Sequence, residues 1–153
     1  MDDKNLYVFC EKKIINIINN SKNPDILQKI VDLLYNTFDK YDWIGIYIIK
    51  NNNLVLGPWK GDKPTEHTII PIGKGICGAA AKSGITEVVS NVKKDNRYLS
   101  CFIETKSEIV VPIKNRNETI GEIDIDSNQK NAFNKKDIIF LEKIADMLNK
   151  HIY

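Results

Sequence analysis

Three cysteines, Cys10, Cys77 and Cys101, are the residues of this chain most able to do chemistry. Their number is odd, their spacing is wide and no two form Cys-x-x-Cys, so neither a zinc site nor a structural disulfide is expected. What remains is inert buried thiols or redox chemistry. Cys77 follows Gly73-Lys74-Gly75 at the start of a short alanine-rich segment. Unpaired backbone N–H groups and the positive dipole end there would lower a thiol's pKa. Cys101 lies among Lys93, Lys94, Arg97 and Lys106, which also favour a thiolate. Packing is nevertheless the ordinary role of a free cysteine.

A second group is acidic. Between Thr119 and Ser127, strand alternation puts Glu122, Asp124 and Asp126 on one face and Gly121, Ile123 and Ile125 on the other. Glu108 begins the partner strand, within reach across the hairpin. Strands disfavour Asp, so two at alternate positions call for a reason. Either this face meets water, or it is the anionic floor of a pocket. Such a floor would bind an ammonium group, and one carboxyl could keep its proton beside charged neighbours. Trp43 and Tyr47 share a face of one strand and Trp59 ends the next; core and ligand wall are both open to them. His67, alone in the polar run Thr65-Glu66-His67-Thr68, reads as solvent-exposed.

These residues need elements to hold them. Apolar positions Leu6, Phe9, Cys10, Ile14, Ile17 and Ile18 predict a helix over 4–19. Asn23-Pro24 then starts a second helix carrying Ile26, Leu27, Ile30, Val31, Leu34 and Phe38. Strands are expected over Trp43–Ile49 and Leu54–Trp59, joined by a turn at Asn51–Asn53, and over Thr68–Ile72 at a sheet edge, where Pro71 is tolerated. Gly73–Gly84 reads as a loop and short helix closed by Gly84 in the left-handed conformation. Thr86–Val89 is extended, and 91–106 is a polar loop long enough to be functional. Ser107–Ile113 and Glu118–Asp126 form a second hairpin about the turn Lys114–Asn117. Asn134 caps a last helix, with Asp137 in its first turn and Ile138, Leu141, Ile144, Ala145 and Leu148 inward. The pattern is α+β with antiparallel pairing.

The chain has 153 residues, 42% apolar and 27% charged, with a net charge of +2 and no basic block of the kind nucleic-acid surfaces carry. No apolar run approaches the ~20 residues that span a bilayer. The N-terminus shows no secretory pattern, and a cytoplasmic protein of one domain over 1–153 is expected.

Taken together, these segments resemble the GAF-domain free methionine-R-sulfoxide reductases. The similarity runs over residues 25–150 and rests on Asp42-Trp43-Ile44-Gly45-Ile46-Tyr47, Leu54-Val55-Leu56-Gly57-Pro58-Trp59, Ile70–Gly78, Ser107–Pro112 and Ile123-Asp124-Ile125-Asp126-Ser127. The fold it implies is a GAF domain: a six-stranded antiparallel sheet flanked by N- and C-terminal helices, with a ligand pocket on one side and residues 4–19 as an extension. In that family a loop cysteine attacks the sulfoxide sulfur and a second, 24 residues earlier, resolves it. Cys101 and Cys77 match those positions. Glu108, Asp124 and Asp126 match the substrate-binding carboxylates, and Trp43 and Tyr47 the aromatic wall. The resemblance further implies free methionine sulfoxide as substrate, thioredoxin as reductant, a homodimer, and no metal or organic cofactor. Two positions depart from the pattern: His67 stands where a third family cysteine would be, and Phe102 where Asp usually follows the attacking cysteine. Cys10 has no counterpart. The alternative is a stand-alone GAF sensor that binds a small cationic metabolite without catalysis.

Overall fold

The computed structural model describes residues 2–22 and 24–152. Helix α1 (Asp3–Asn20) is capped by the Asp2 side chain, and α2 (Asp25–Thr37) follows. Pro24 stands just before α2 and supplies no side-chain cap, while the expected cap Asn23 lies outside the described residues. Strands β1 (Trp43–Lys50) and β2 (Asn53–Gly61) form the first hairpin. Its turn is shorter than expected: Lys50 pairs with Asn53, leaving Asn51 and Asn52, both at positive φ. That conformation suits a two-residue hairpin turn, and Asn tolerates it better than most residues.

Strand β3 (Ile69–Pro71) is followed by α3 (Gly75–Ser83), closed by Gly84 at φ 69° as the glycine signal required. Strand β4 is only Glu87–Val89, and the long loop after it contains one 3₁₀ turn at Val92–Lys94. Strands β5 (Ser107–Asn115) and β6 (Glu118–Ser127) form the second hairpin, whose turn is Arg116-Asn117 rather than Lys114–Asn117. Helix α4 (Lys135–Leu148) carries the complete Asn134/Asp137 capping box, with Phe140 buried and Ile138 only half-buried.

The six strands form one antiparallel sheet in the order β3-β2-β1-β6-β5-β4. One face carries Ile44, Ile46, Ile109, Val111, Ile123 and Ile125 against α1, α2 and α4; Cys10 packs there, far from any chemistry. Burial pushes that thiol up to about 11. The other face is covered by α3, which brings Cys77, and by the 95–106 loop, and carries Trp43, Tyr47 and Val110. Period-two alternation thus divides β1, β5 and β6 between a dry hydrophobic core and a second, chemically mixed layer. Among the described helices, none is long and apolar enough to cross a membrane.

Candidate active site

The floor of the second layer is acidic. Register sets Asp126 between Trp43 and Glu108, Asp124 between Gly45 and Val110, and Glu122 between Tyr47 and Pro112. Alternation sends Ile123 and Ile125 into the opposite core, so the carboxyls have no choice of face. Glu108, Glu122, Asp124 and Asp126 are 4%, 0%, 5% and 3% exposed, which removes the alternative of a water-facing strand. Burial raises the pKa of all four. The charge of Asp124 raises Glu108, Glu122 and Asp126 further, while hydrogen bonds from Glu108 and Cys77 pull Asp124 itself back down. Asp124 is thus raised less far than Glu108, Glu122 and Asp126, each of which lies well above its ordinary value. Both oxygens of Glu122 and one each of Asp124 and Asp126 have no hydrogen-bond partner.

Two sulfurs face this floor. Cys77, in the first turn of α3, donates to Glu108 Oε1 at 3.7 Å; Cys101, on the loop, donates to the Leu99 carbonyl at 3.6 Å. Neither is a resting thiolate, contrary to expectation. Burial pushes Cys101 up to about 12, with Asp124 and Asp126 adding to it and Thr65 opposing. Cys77 is raised well above its ordinary value by burial, then by Asp124, Glu122 and Glu108. The helix terminus that should lower it is outweighed by burial and, after it, by three adjacent carboxyls. The cations around Cys101 are spent or turned outward: Arg97 pairs with Glu87 at 3.0 Å and Asp95 at 2.8 Å, and Lys93, Lys94 and Lys106 are exposed.

The wall is aromatic. Trp43 lies flat on the sheet because Gly45 and Gly61 leave space where any Cβ would overlap its ring. It stacks on Trp59 with centroids 6.3 Å apart, and Phe102 closes on it at 6.1 Å. Its indole N–H has no partner. The Tyr47 hydroxyl donates to the His67 carbonyl at 2.7 Å. His67 is half-buried rather than solvent-exposed, with Nε2 3.3 Å from the Ser100 carbonyl.

An inner cavity of about 20 Å³ is lined by Tyr47, His67, Ile76, Cys77, Tyr98, Cys101, Glu108, Asp124 and Asp126, among others. That volume holds one water at most. An outer cavity of about 100 Å³ touches Asp126 from the other side, lined by Trp43, Phe102, Asp42 and Asp62 among others, under the Lys63–Glu104 ion pair at 3.1 Å. All seven candidates from the sequence thus border these two chambers or their floor. Phe102 and His67, the two departures from the family pattern, border them too, although His67 read as surface. One donor atom each from Cys77, Glu108 and Asp124 lies within 4.8 Å of the others. Such spacing suits a metal ion or a shared proton, and the raised pKa values together with the Cys77–Glu108 hydrogen bond describe the protonated form.

The GAF-domain family matches residues 24–152. The chain is 42% identical over 113 residues to a free methionine-R-sulfoxide reductase of Saccharomyces cerevisiae, an alignment covering 71% of this chain and 62% of that enzyme's length. Among solved structures it is similar to the type II free methionine-R-sulfoxide reductase of Thermoplasma acidophilum, with 36% identity, TM-score 0.79, and 95% and 94% of the two chains covered. It is also similar to the free methionine-R-sulfoxide reductase of Neisseria meningitidis solved with its substrate, with 30% identity, TM-score 0.91, and 99% and 90% covered.

Proposed function

The chain belongs to the GAF-domain family, and from that premise we propose that it reduces free L-methionine-R-sulfoxide to methionine, with Cys101 as the attacking thiol. The observation that carries this reading is the convergence of Cys77, Cys101, Glu108, Asp124 and Asp126 on one buried cavity. Asp124 and its partners are the complement of an α-ammonium: a buried negative centre with no cation from the described residues. The methyl-sulfinyl end lies against Trp43 and Tyr47. Neutral Glu108 or Asp126 donates a proton to the sulfoxide oxygen. Cys101 sulfur attacks the substrate sulfur, the oxygen stays on Cys101 as a sulfenic acid, and methionine leaves. Cys77 condenses with the sulfenic acid to a disulfide, releasing water, and thioredoxin reopens it by exchange. No metal or organic cofactor takes part. The enzyme works in the cytoplasm as a homodimer.

Substrate does not fit the inner cavity as it stands, so the 95–106 loop opens first. It is held shut by Tyr98, Leu99 and Phe102 packed into the second layer and by the two-pronged Arg97–Glu87 pair at 3.0 and 3.1 Å. The exposed Lys63–Glu104 pair adds only about 0–1 kcal/mol.

Thioredoxin-coupled consumption of NADPH tests the proposal, with free L-methionine-R-sulfoxide compared with its S epimer and with peptide-bound sulfoxide. Turnover confined to the free R form supports it. A second reading, a sensor for a small cationic metabolite, draws on the neutral thiols and on Phe102 packed over Trp43. It predicts binding of such a metabolite with no NADPH consumption.

A further inference from the structure

The inner cavity, at about 20 Å³, is too small for an amino acid and has room for a single ion. Cys77, Glu108 and Asp124 all border it, and one donor atom from each lies within 4.8 Å of the other two. The Cys77 sulfur stands 3.7 Å from Glu108 Oε1. Zinc holds thiolate sulfur at ~2.3 Å and carboxylate oxygen at ~2.0 Å, which at a tetrahedral angle sets two such ligands about 3.5 Å apart. The resting geometry is therefore close to one edge of a zinc tetrahedron. A second observation points the same way. Asp124 Oδ1 is buried without a hydrogen-bond partner, and so is Asp126 Oδ1 on the same cavity. Buried carboxyl oxygens left in this way are unfavourable unless something positive comes to them. Among the described residues, no Lys, Arg or His forms an ion pair with this floor. The three donors stand on α3, β5 and β6, and regular elements fix ligands more closely than loops do.

We propose that the reduced protein binds a divalent cation of the zinc type between Cys77 Sγ, Glu108 and Asp124, and that this ion excludes methionine sulfoxide. It is a blocker of the reaction and not a cofactor for it. One thiolate with two carboxylates is a borderline donor set: the sulfur disfavours magnesium and calcium, and the oxygens disfavour copper(I). Wide cysteine spacing argues against a site of several thiolates, but here two strand carboxylates take their place. Three metal–ligand bonds form, the protons that these groups hold pass to solvent, and nothing is oxidised or reduced. The fourth position falls to the one water that the cavity can hold. Binding stands on this geometry alone, whereas blocking rests on the reductase reading above. In that reading Glu108 and Asp124 receive the substrate ammonium, and Cys77 receives the Cys101 sulfenic acid. With all three on the metal, neither step has its partner.

Cobalt(II) is the probe, because a thiolate ligand gives it an ultraviolet charge-transfer band that disappears when zinc displaces it. The reduced full chain, freed of added thiol, should take up one cobalt and show the band. Cys77→Ser should lose the band and Cys101→Ser should keep it; Cys10, buried on the opposite face, offers no competing sulfur. Asp124→Asn and Glu108→Gln are nearly isosteric and should each weaken binding at least about tenfold, since even the partners of metal ligands matter by ~10- to 100-fold. Circular dichroism checks that each is folded, and should one fail to fold, the other decides. Zinc should abolish the burst of methionine from pre-reduced wild type, and a chelator should restore it. No band in the wild type, a band that survives in Cys77→Ser, or a burst untouched by saturating zinc overturns the inference. If zinc binds with this ligand dependence but the chelated wild type releases no methionine, the site stands and the reductase reading fails.

Discussion

Trp43 lies over Gly45, two residues along its own strand, so closely that a methyl group there would overlap its six-membered ring. Gly45 sits directly across from Asp124, and Trp43 across from Asp126. The missing side chain is what lets an indole lie down beside the acid floor and form a wall to it. Gly45→Ala should therefore displace the ring. Overpacking of this kind costs about 1–3 kcal/mol, visible as a lower urea midpoint. A rise in KM with a changed tryptophan emission should accompany it, and an unchanged emission would show that the wall adapts without moving.

Much of this was legible before the structure. Alternation in β6 gave the shared face of Glu122, Asp124 and Asp126 because the period of a strand leaves no freedom once Ile123 and Ile125 are core. Gly84 and the Asn134/Asp137 box marked helix ends through backbone chemistry that is local. The thiol pKa values were not legible. A helix terminus is a local feature, whereas what outweighs it at Cys77 is burial and then carboxyls from β5 and β6, about 31 to 47 residues away. His67 was misplaced for the same reason: it borders the site through a loop that only the folded sheet positions.

The neutral state of Cys101 has a kinetic consequence. Burial is the main cause of its rise to about 12, and Asp124 and Asp126 add to it. Asp126→Asn should bring the Cys101 titration to lower pH, followed as ultraviolet thiolate absorbance in a Cys10→Ser/Cys77→Ser background. On the proposed mechanism, the substrate ammonium would have the same effect on binding. A wild-type midpoint below pH 8 would contradict this picture.

Stability should fall as pH rises. In the unfolded chain Asp and Glu ionise near pH 4; in the fold, burial raises Glu108, Glu122, Asp124 and Asp126 above that. The folded state thus holds protons that the unfolded state has released. The stabilisation is complete below about pH 4 and is lost progressively as pH climbs towards the folded values. Asp95 and Glu104 act in the opposite sense, but both are near the surface. Urea midpoints should be higher at pH 5 than at pH 8, and Glu122→Gln should narrow the gap. A midpoint that increases with pH would mean the floor is ionised.

Recognition of a free ammonium makes a chemical prediction. On the proposed reading, acylation removes the charge that Asp124 and its neighbours would hold, and leaves those buried acids without their partner. N-acetyl-methionine sulfoxide should therefore be turned over at least about a hundredfold more slowly than the free amino acid, measured as kcat/KM. Equal rates would remove Glu108, Asp124 and Asp126 from the binding role.

Replacing the two sulfurs should give different failures. Cys101→Ser removes the nucleophile, because a serine hydroxyl at neutral pH is far weaker than a thiolate. Turnover should drop by on the order of 10³-fold or more, with no burst. Cys77→Ser leaves the first step untouched, so each site should release one methionine quickly and then stall as the Cys101 sulfenic acid. Dithiothreitol should restart it, since a small thiol can reach the half-buried loop sulfur, whereas thioredoxin should not, having no disulfide to exchange. His67 cannot take over, as imidazole forms no S–S bond, and Cys10 packs on the opposite face of the sheet. Rapid-quench measurement of methionine, with and without dithiothreitol, distinguishes these outcomes. Wild-type turnover by Cys101→Ser would refute the mechanism. Tight binding of a cationic metabolite with no burst from the wild-type protein would give the site to the sensor reading.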